Sequence, residues 1–138
     1  MIPGSIFFDT DFHFHDGSDG EKLFIILGSR DSITVTSKTT SQQHGRGTAY
    51  GCQPEDRFHN FYLPQGSCHL KKCTWICLDE FYELSATQLL QKRFNGSVNH
   101  ICNLPVEMIK PLQQCALDSL DITSFQKEII RSCLASDS

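Results

Sequence analysis

The sequence predicts an α+β fold in which β-structure dominates, with about five to six strands in a small antiparallel barrel or curled sheet and helices at one end. Three observations predict it. Over the first 80 positions apolar residues alternate or run in short blocks, the pattern of strands. From Ser85 onward the spacing lengthens to that of helices. The strand blocks also precede the helical blocks instead of interleaving with them, which disfavours a parallel α/β sheet. The 138 residues suit one domain. Its barrel covers about 4–103, with an inserted helix near 85–94 and a helical C-terminus over about 105–134.

Ser5–Phe14 reads as the first strand, with Ile6, Phe8, Phe12 and Phe14 on one face and Asp9, Asp11 and His13 on the other. Asp16-Gly17-Ser18-Asp19-Gly20 is a turn signal. Leu23–Leu27 is a continuous apolar run closed by Gly28, as in a strand buried on both faces. Ile33–Thr36 is β-branched throughout and reads as a third strand. Ser37–Glu55 is polar and glycine-containing and reads as a long irregular segment, a type often functional or mobile. Phe58–Leu63 and Thr74–Phe81 are two further strands, the second placed in the core by Trp75.

Helical signals follow. Ser85 and Gln88 form a capping box before Leu89–Phe94, and Asn95-Gly96 stops that helix. Val98–Ile101 is a short closing strand. Pro105 suits the first turn of a helix carrying Met108, Ile109, Leu112, Cys115, Ala116 and Leu120, in which Pro111 is a possible kink. Thr123 and Gln126 cap a last helix running to Leu134.

Composition narrows the function classes. No apolar run approaches the ~20 residues of a membrane-spanning helix, and the 39% hydrophobic content with ten Phe is that of a packed core rather than a disordered chain. Met1–Ser5 lacks the basic start and apolar stretch of a secretory signal. With that, the odd count of seven Cys reads as reduced, mostly buried thiols in a cytoplasmic protein. Net charge is −4, which argues against a surface that coats nucleic acid. The charge is uneven, however: positions 22–78 carry seven bases against three acids, so one cationic face for an anionic partner is open to the chain.

Two metal-like patterns have simpler readings. His13-x-His15-Asp16 brings two imidazoles to one strand face, but hydrolases of that kind need further ligands from later strands, so it reads as a solvated face entering a turn. Cys68, His69, Cys73 and Cys77 lack a paired knuckle, and Cys73 and Cys77 alternate with Trp75 as packing residues do. Neither a phosphate-binding glycine loop nor a nucleophile elbow occurs. Gly45-Arg46-Gly47 sets an arginine on flexible backbone, suited to gripping a phosphate or simply forming a loop tip.

The order of elements, from Pro3 to about Leu120, resembles the MazF/PemK (Kid-like) toxins of toxin–antitoxin systems. Pro3–Phe8 is similar to their opening strand, Glu21–Leu27 to the strand led by a basic residue, and Ile33–Ser37 to the strand end with its hydroxyls. Leu70–Asp79 is similar to a strand ending in Asp, and Gly96–Pro105 to the closing strand before a helix. The resemblance implies an SH3-like barrel, usually a homodimer, that cleaves single-stranded RNA by attack of the ribose 2′-OH. It needs no metal or other cofactor and is neutralised by an antitoxin with an acidic disordered segment. Such chemistry requires a base, an acid and donors for the phosphorane charge. The resemblance assigns catalysis to Lys22, Thr36, Ser37 and Asp79, and the cationic 22–78 region then offers Lys38, His44, Arg46 and Arg57 as the RNA-binding residues.

Two departures matter. Lys22-Leu23 stands where the family has Arg-Pro, and Cys77 where some members have an arginine; an ammonium lacks the planar guanidinium fork. Arg46 is then the first candidate to replace the missing arginine, and His44 or His59 to move a proton. Phe58, Phe61 and Tyr62 are candidates to stack on bases, although strand aromatics more often build cores. The alternatives are a catalytically inactive barrel that binds RNA or protein, and a metal-dependent hydrolase built on His13, His15 and Asp16.

Overall fold

The computed structural model describes residues 2–135. Its strands are β1 (Ser5–His13), β2 (Asp19–Arg30), β3 (Ile33–Thr40), β4 (Gly51–Gln53), β5 (Asn60–Leu63), β6 (Thr74–Cys77), β7 (Tyr82–Ser85) and β8 (Val98–Asn103). The helices are α1 (Ala86–Phe94), α2 (Val106–Leu117) and α3 (Ser124–Ser132), and a 3₁₀ turn occupies Ser67–His69. The sheet is antiparallel throughout, in the order β4-β5-β6-β3-β2-β1-β8. β4 and β8 end that path and do not pair, so the fold is a mainly antiparallel α+β sheet that stays open where closure was expected.

β3 is the shared element. One edge pairs with β2. The other edge is divided: Ile33–Thr36 pair with β7, and Thr39 and Thr40 with Ile76 and Trp75 of β6. The expected single strand over Thr74–Phe81 is therefore two strands laid end to end along β3, with a step at Leu78–Phe81 between them. Pairing with β6 also extends β3 to Thr40, into the segment read as irregular.

The run Leu23–Leu27 behaves as expected of a doubly buried strand. Ile25 and Leu27 enter an aliphatic core with Val35, Leu63, Leu112, Ile129 and Ile130. Phe24 and Ile26 enter a second, aromatic core with Phe7, Phe12, Tyr82, Leu89 and Val98 on the opposite face. Helices α2 and α3 cover the first face and α1 the second. Residues from both halves of the sheet, Ile6 and Ile25 with Phe61 and Ile76, meet in the aliphatic core, so the sheet curls around it.

Expected facing fails in β1. Asp9 pairs with Lys22 but Phe12 pairs with Gly20, so β1 carries one extra residue between them. Such a bulge flips every side chain beyond it to the other face. Ile6 accordingly lies in the aliphatic core while Phe12 joins Phe7 and Phe24 in the aromatic one. Asp9, expected at the solvent face, is buried and accepts from Lys92 Nζ of α1 at 2.5 Å. A second bulge, between Ile26 and Gly28, brings β2 against α3. A Cβ on Gly28 would lie 2.9 Å from Cys133 Sγ and 3.0 Å from Ile130 Cα, so this contact admits only glycine without rearrangement.

Both capping boxes form as read, at Ser85/Gln88 and Thr123/Gln126. Pro111 sits inside α2, which continues through it.

The thiol expectation is overturned. Cys52 is disulfide-bonded to Cys115, and Cys68 to Cys102, leaving Cys73, Cys77 and Cys133 free. The partners stand 63 and 34 residues apart and join elements that only the folded topology brings together, β4 to α2 and the Ser67–His69 turn to β8.

Candidate functional site

The register places the basic residues of β2 and β3 beside β6. Phe24 pairs with Lys38, which puts Lys22 and Lys38 on the same face, and Thr39 pairs with Ile76, which sets Lys38 next to Cys77. Asn60 of β5 pairs with Cys77 on the far side. Over this strip folds the 41–50 loop, which delivers Arg46.

That loop is fastened down rather than free. Trp75 Nε1 donates to the Gly47 carbonyl at 2.8 Å, and the Gly47 N–H donates to Asp56 Oδ2 at 2.7 Å. Asn60 Nδ2 donates to the same Asp56 oxygen at 3.0 Å. The Arg46 guanidinium donates to the carbonyls of Gln42 and Gln43, lies 5.2 Å from the Phe58 ring centre, and is buried with its Nε unpartnered. The cationic groups meet electrostatically at Cys77. Burial pushes that thiol up, Arg46 pulls it down, Asp79 pushes it up again, and Lys38 and Lys22 pull it down; burial wins. Lys22 is held below the ordinary lysine range by its own partial burial. Burial also lowers Lys38, but its hydrogen bond and ion pair with Glu80 outweigh that and raise it.

Lys22 also borders a groove of about 530 Å³ on the adjoining surface. Glu21, Lys22, Lys71 and Lys72 line it with the hydroxyl residues Thr39, Thr40, Ser41 and Thr74, over an apolar floor of Phe8, Leu23 and Leu70. Lys71 and Lys72 are exposed there, and Glu21 is the acid of the lining.

The remaining candidates lie elsewhere. Thr36 and Ser37 are both 0% exposed; the Thr36 hydroxyl donates to the Tyr82 carbonyl, and the Ser37 hydroxyl has no partner. Asp79 and Arg57 line a separate cleft with Asp56, His59, Asp118 and Asp121. His44 is exposed and its Nε2 bonds to Gln42 Oε1. The structure thus joins Lys22, Lys38 and Arg46 around Cys77; Arg57 shares the Phe58 ring with Arg46 but lines the second cleft together with Asp79. Phe61 is core and Tyr62 packs on Trp75, so neither presents a face to a base. Phe58 already carries Arg46 and Arg57 on its ring.

The metal-like patterns are not assembled. His13 is paired with Asp19, His15 bonds to the Phe81 carbonyl while stacked on Tyr82, and Asp16 accepts from Ser18. Cys68 is in its disulfide, Cys73 accepts from the Tyr62 hydroxyl, and Cys77 is buried.

Sequence reasoning missed Lys71 and Lys72 as groove residues. Their adjacency just before a predicted strand was the available signal. Among the described residues no helix is long and apolar enough to cross a membrane. No protein-family model matches the chain, and no curated protein matches it.

Proposed function

We propose that the chain binds single-stranded RNA along the groove bordered by Lys22, Lys71 and Lys72. The observation that carries this is a concentration of cationic side chains on a chain of net charge −4. Lys22, Lys71 and Lys72 edge one groove, with Lys38 and Arg46 near Lys22, and the Thr40 and Ser41 hydroxyls of its lining suit phosphate and ribose oxygens. The resemblance to MazF/PemK toxins supports the same surface. A curled sheet sharing β3 between its halves is compatible with an SH3-like barrel opened along one seam. On this reading the chain works in the cytoplasm as a homodimer, and a partner with an acidic segment, the counterpart of an antitoxin, competes for the cationic groove.

Binding is favoured over cleavage by what surrounds Lys22. Attack by a 2′-OH needs a base and an acid in reach of one phosphate. The Thr36 and Ser37 hydroxyls are sealed in the sheet, Asp79 lines a different cleft, and among the described side chains no histidine borders the groove. The second reading, a metal-independent endoribonuclease toxin, draws on Lys22 itself. A lysine held below its ordinary range by burial exchanges a proton more readily than an exposed one.

One experiment separates them. Purified chain is incubated with mixed-sequence single-stranded RNA in EDTA, fragment ends are mapped, and complex formation is followed by gel shift at several salt concentrations. The binding reading expects intact RNA in a salt-sensitive complex. Replacing Lys71 and Lys72 with Ala should flatten the dependence of log K on log salt by about 0.7 for each phosphate that is no longer neutralised. Discrete cuts with 2′,3′-cyclic phosphate ends would establish the nuclease instead. Absence of any complex would overturn both.

A further inference from the structure

We infer that Cys52, His59 and Cys115 form a zinc site when their disulfide is reduced, so that this corner of the molecule holds either a disulfide or a metal ion. The inference is independent of the RNA-binding reading, since it concerns the opposite end of the β5–β6 pair and none of the groove lysines.

Three elements supply the donors: β4 gives Cys52, the approach to β5 gives His59, and α2 gives Cys115. His59 Nε2 lies 4.0 Å from Cys52 Sγ and 3.5 Å from Cys115 Sγ. Around a tetrahedral zinc with Zn–S of about 2.3 Å and Zn–N of about 2.0–2.1 Å, a nitrogen and a sulfur ligand stand about 3.6 Å apart. Both nitrogen–sulfur edges are therefore close to the required length in the oxidised protein. Only the two sulfurs must part, which reduction permits. Among the described residues, no other cysteine pair gathers a third metal-ligating side chain.

The surroundings fit the ion. Two thiolates and a neutral imidazole balance the charge of Zn²⁺, and thiolate donors select zinc over magnesium or calcium. His59 also lines the cleft that holds Asp56, Asp79, Asp118 and Asp121, together with Arg57. Among the described residues no carboxylate joins the three donors, so a water from that cleft completes the fourth position. In the oxidised protein His59 Nε2 donates to the Cys115 carbonyl at 2.6 Å. Ligation moves the ring proton to Nδ1 and turns Nε2 from that oxygen to the metal.

The step balances. A dithiol gives two electrons and two protons to the Cys52–Cys115 bond and closes to its own disulfide, leaving two thiols. Zn²⁺ then displaces both thiol protons into solvent and takes His59 as the neutral base.

The test uses the full chain, reduced with a dithiol that is removed under anaerobic conditions. Zn²⁺ is titrated against a chromophoric chelator, and Co²⁺ serves as a spectroscopic probe for thiolate-to-metal charge transfer. One equivalent is expected for the reduced chain and none for the oxidised one. His59→Gln and Cys52→Ser should each lose that equivalent, while the double variant Cys68→Ser/Cys102→Ser keeps it. His59→Gln retains its disulfide, so its fold is verified by the near-ultraviolet signal of Trp75 before reduction. The proposal falls if the reduced chain takes up no zinc, if the oxidised chain binds equally, or if uptake survives in His59→Gln. It falls as well if reduction abolishes the Trp75 signal and Zn²⁺ fails to restore it.

Discussion

The two halves of the sheet are held by different means. β1, β2, β3 and β8 are long, and their side chains fill an aliphatic core on one face and an aromatic core on the other. β4, β5 and β6 have only three or four residues each, and this half is bonded covalently at two points to the rest: Cys52 to α2 and Cys68 to β8. The long half is stabilised by apolar area removed from water. The short half buries apolar area as well, through Phe61, Leu63, Trp75 and Ile76, and its cross-links add to this by restricting the unfolded chain. The fastened 41–50 loop and the groove lysines 71 and 72 belong to the short half, whereas Lys22 and Lys38 stand on the long one, so the candidate site straddles the two.

The largest expected effect tests the long half. Phe24 is 0% exposed and stacks on Phe7 with ring centres 5.6 Å apart, so Phe24→Ala should cost about 3–5 kcal/mol in denaturant unfolding. A cost below about 1 kcal/mol would mean that the aromatic core is not packed as described. Next is the short half. Replacing Cys52 and Cys115 together by Ala removes a cross-link over 63 residues, with an expected loss of about 4 kcal/mol in the chain-entropy picture. Amide exchange should then accelerate in β4 and β5 before β1 and β2. Uniform acceleration would erase the distinction between the halves.

A third test bears on where the long half meets α3. Gly28→Ala drives a methyl against Ile130 and Cys133 and should cost about 1–3 kcal/mol, seen as a lowered unfolding midpoint at unchanged slope. The smallest effect is at an exposed strand end. The hydrogen bond and charge of Asp19 raise the His13 imidazole above its ordinary value of about 6.5. A raised folded-state value stabilises below the unfolded pKa, and that contribution is lost as pH climbs through the folded value. His13 is solvent-exposed, so the difference between wild type and His13→Gln should stay below about 1 kcal/mol and vanish at high pH. A titration of the His13 ring showing no upward shift would remove the pairing.

Local signals carried most of what the sequence revealed. The capping boxes depend on residues three apart, and the doubly buried β2 on five consecutive apolar residues, so both were readable. The bulge in β1 was not, because Ser5–His13 alternates plausibly in either register and only pairing with β2 decides between them. The disulfides escaped for a similar reason: compartment rules describe averages, whereas Cys52 meets Cys115 through topology. At the candidate site, basic content over 22–78 pointed to Lys38, Arg46 and Arg57, of which Lys38 and Arg46 converge, and they do so with Lys22, which the resemblance supplied. Thr36 and Asp79 were assigned by position in a resemblance, and position does not report that Thr36 points into a packed face or that Asp79 follows the step out of β6.

The pairing of β1 with β8 sets a timetable for synthesis. Asp9 finds Val98, and Ser5 finds Asn103, across most of the chain. At about 5–20 residues per second, β8 leaves the ribosome some 5–20 s after β1. Throughout that interval β1 offers an unpaired edge on a nascent chain whose aromatic core still lacks Leu89 and Val98. Chaperones that shield exposed strand edges would therefore have their main opportunity before residue 103 emerges, and truncation ahead of β8 should yield an aggregating fragment rather than a smaller stable fold.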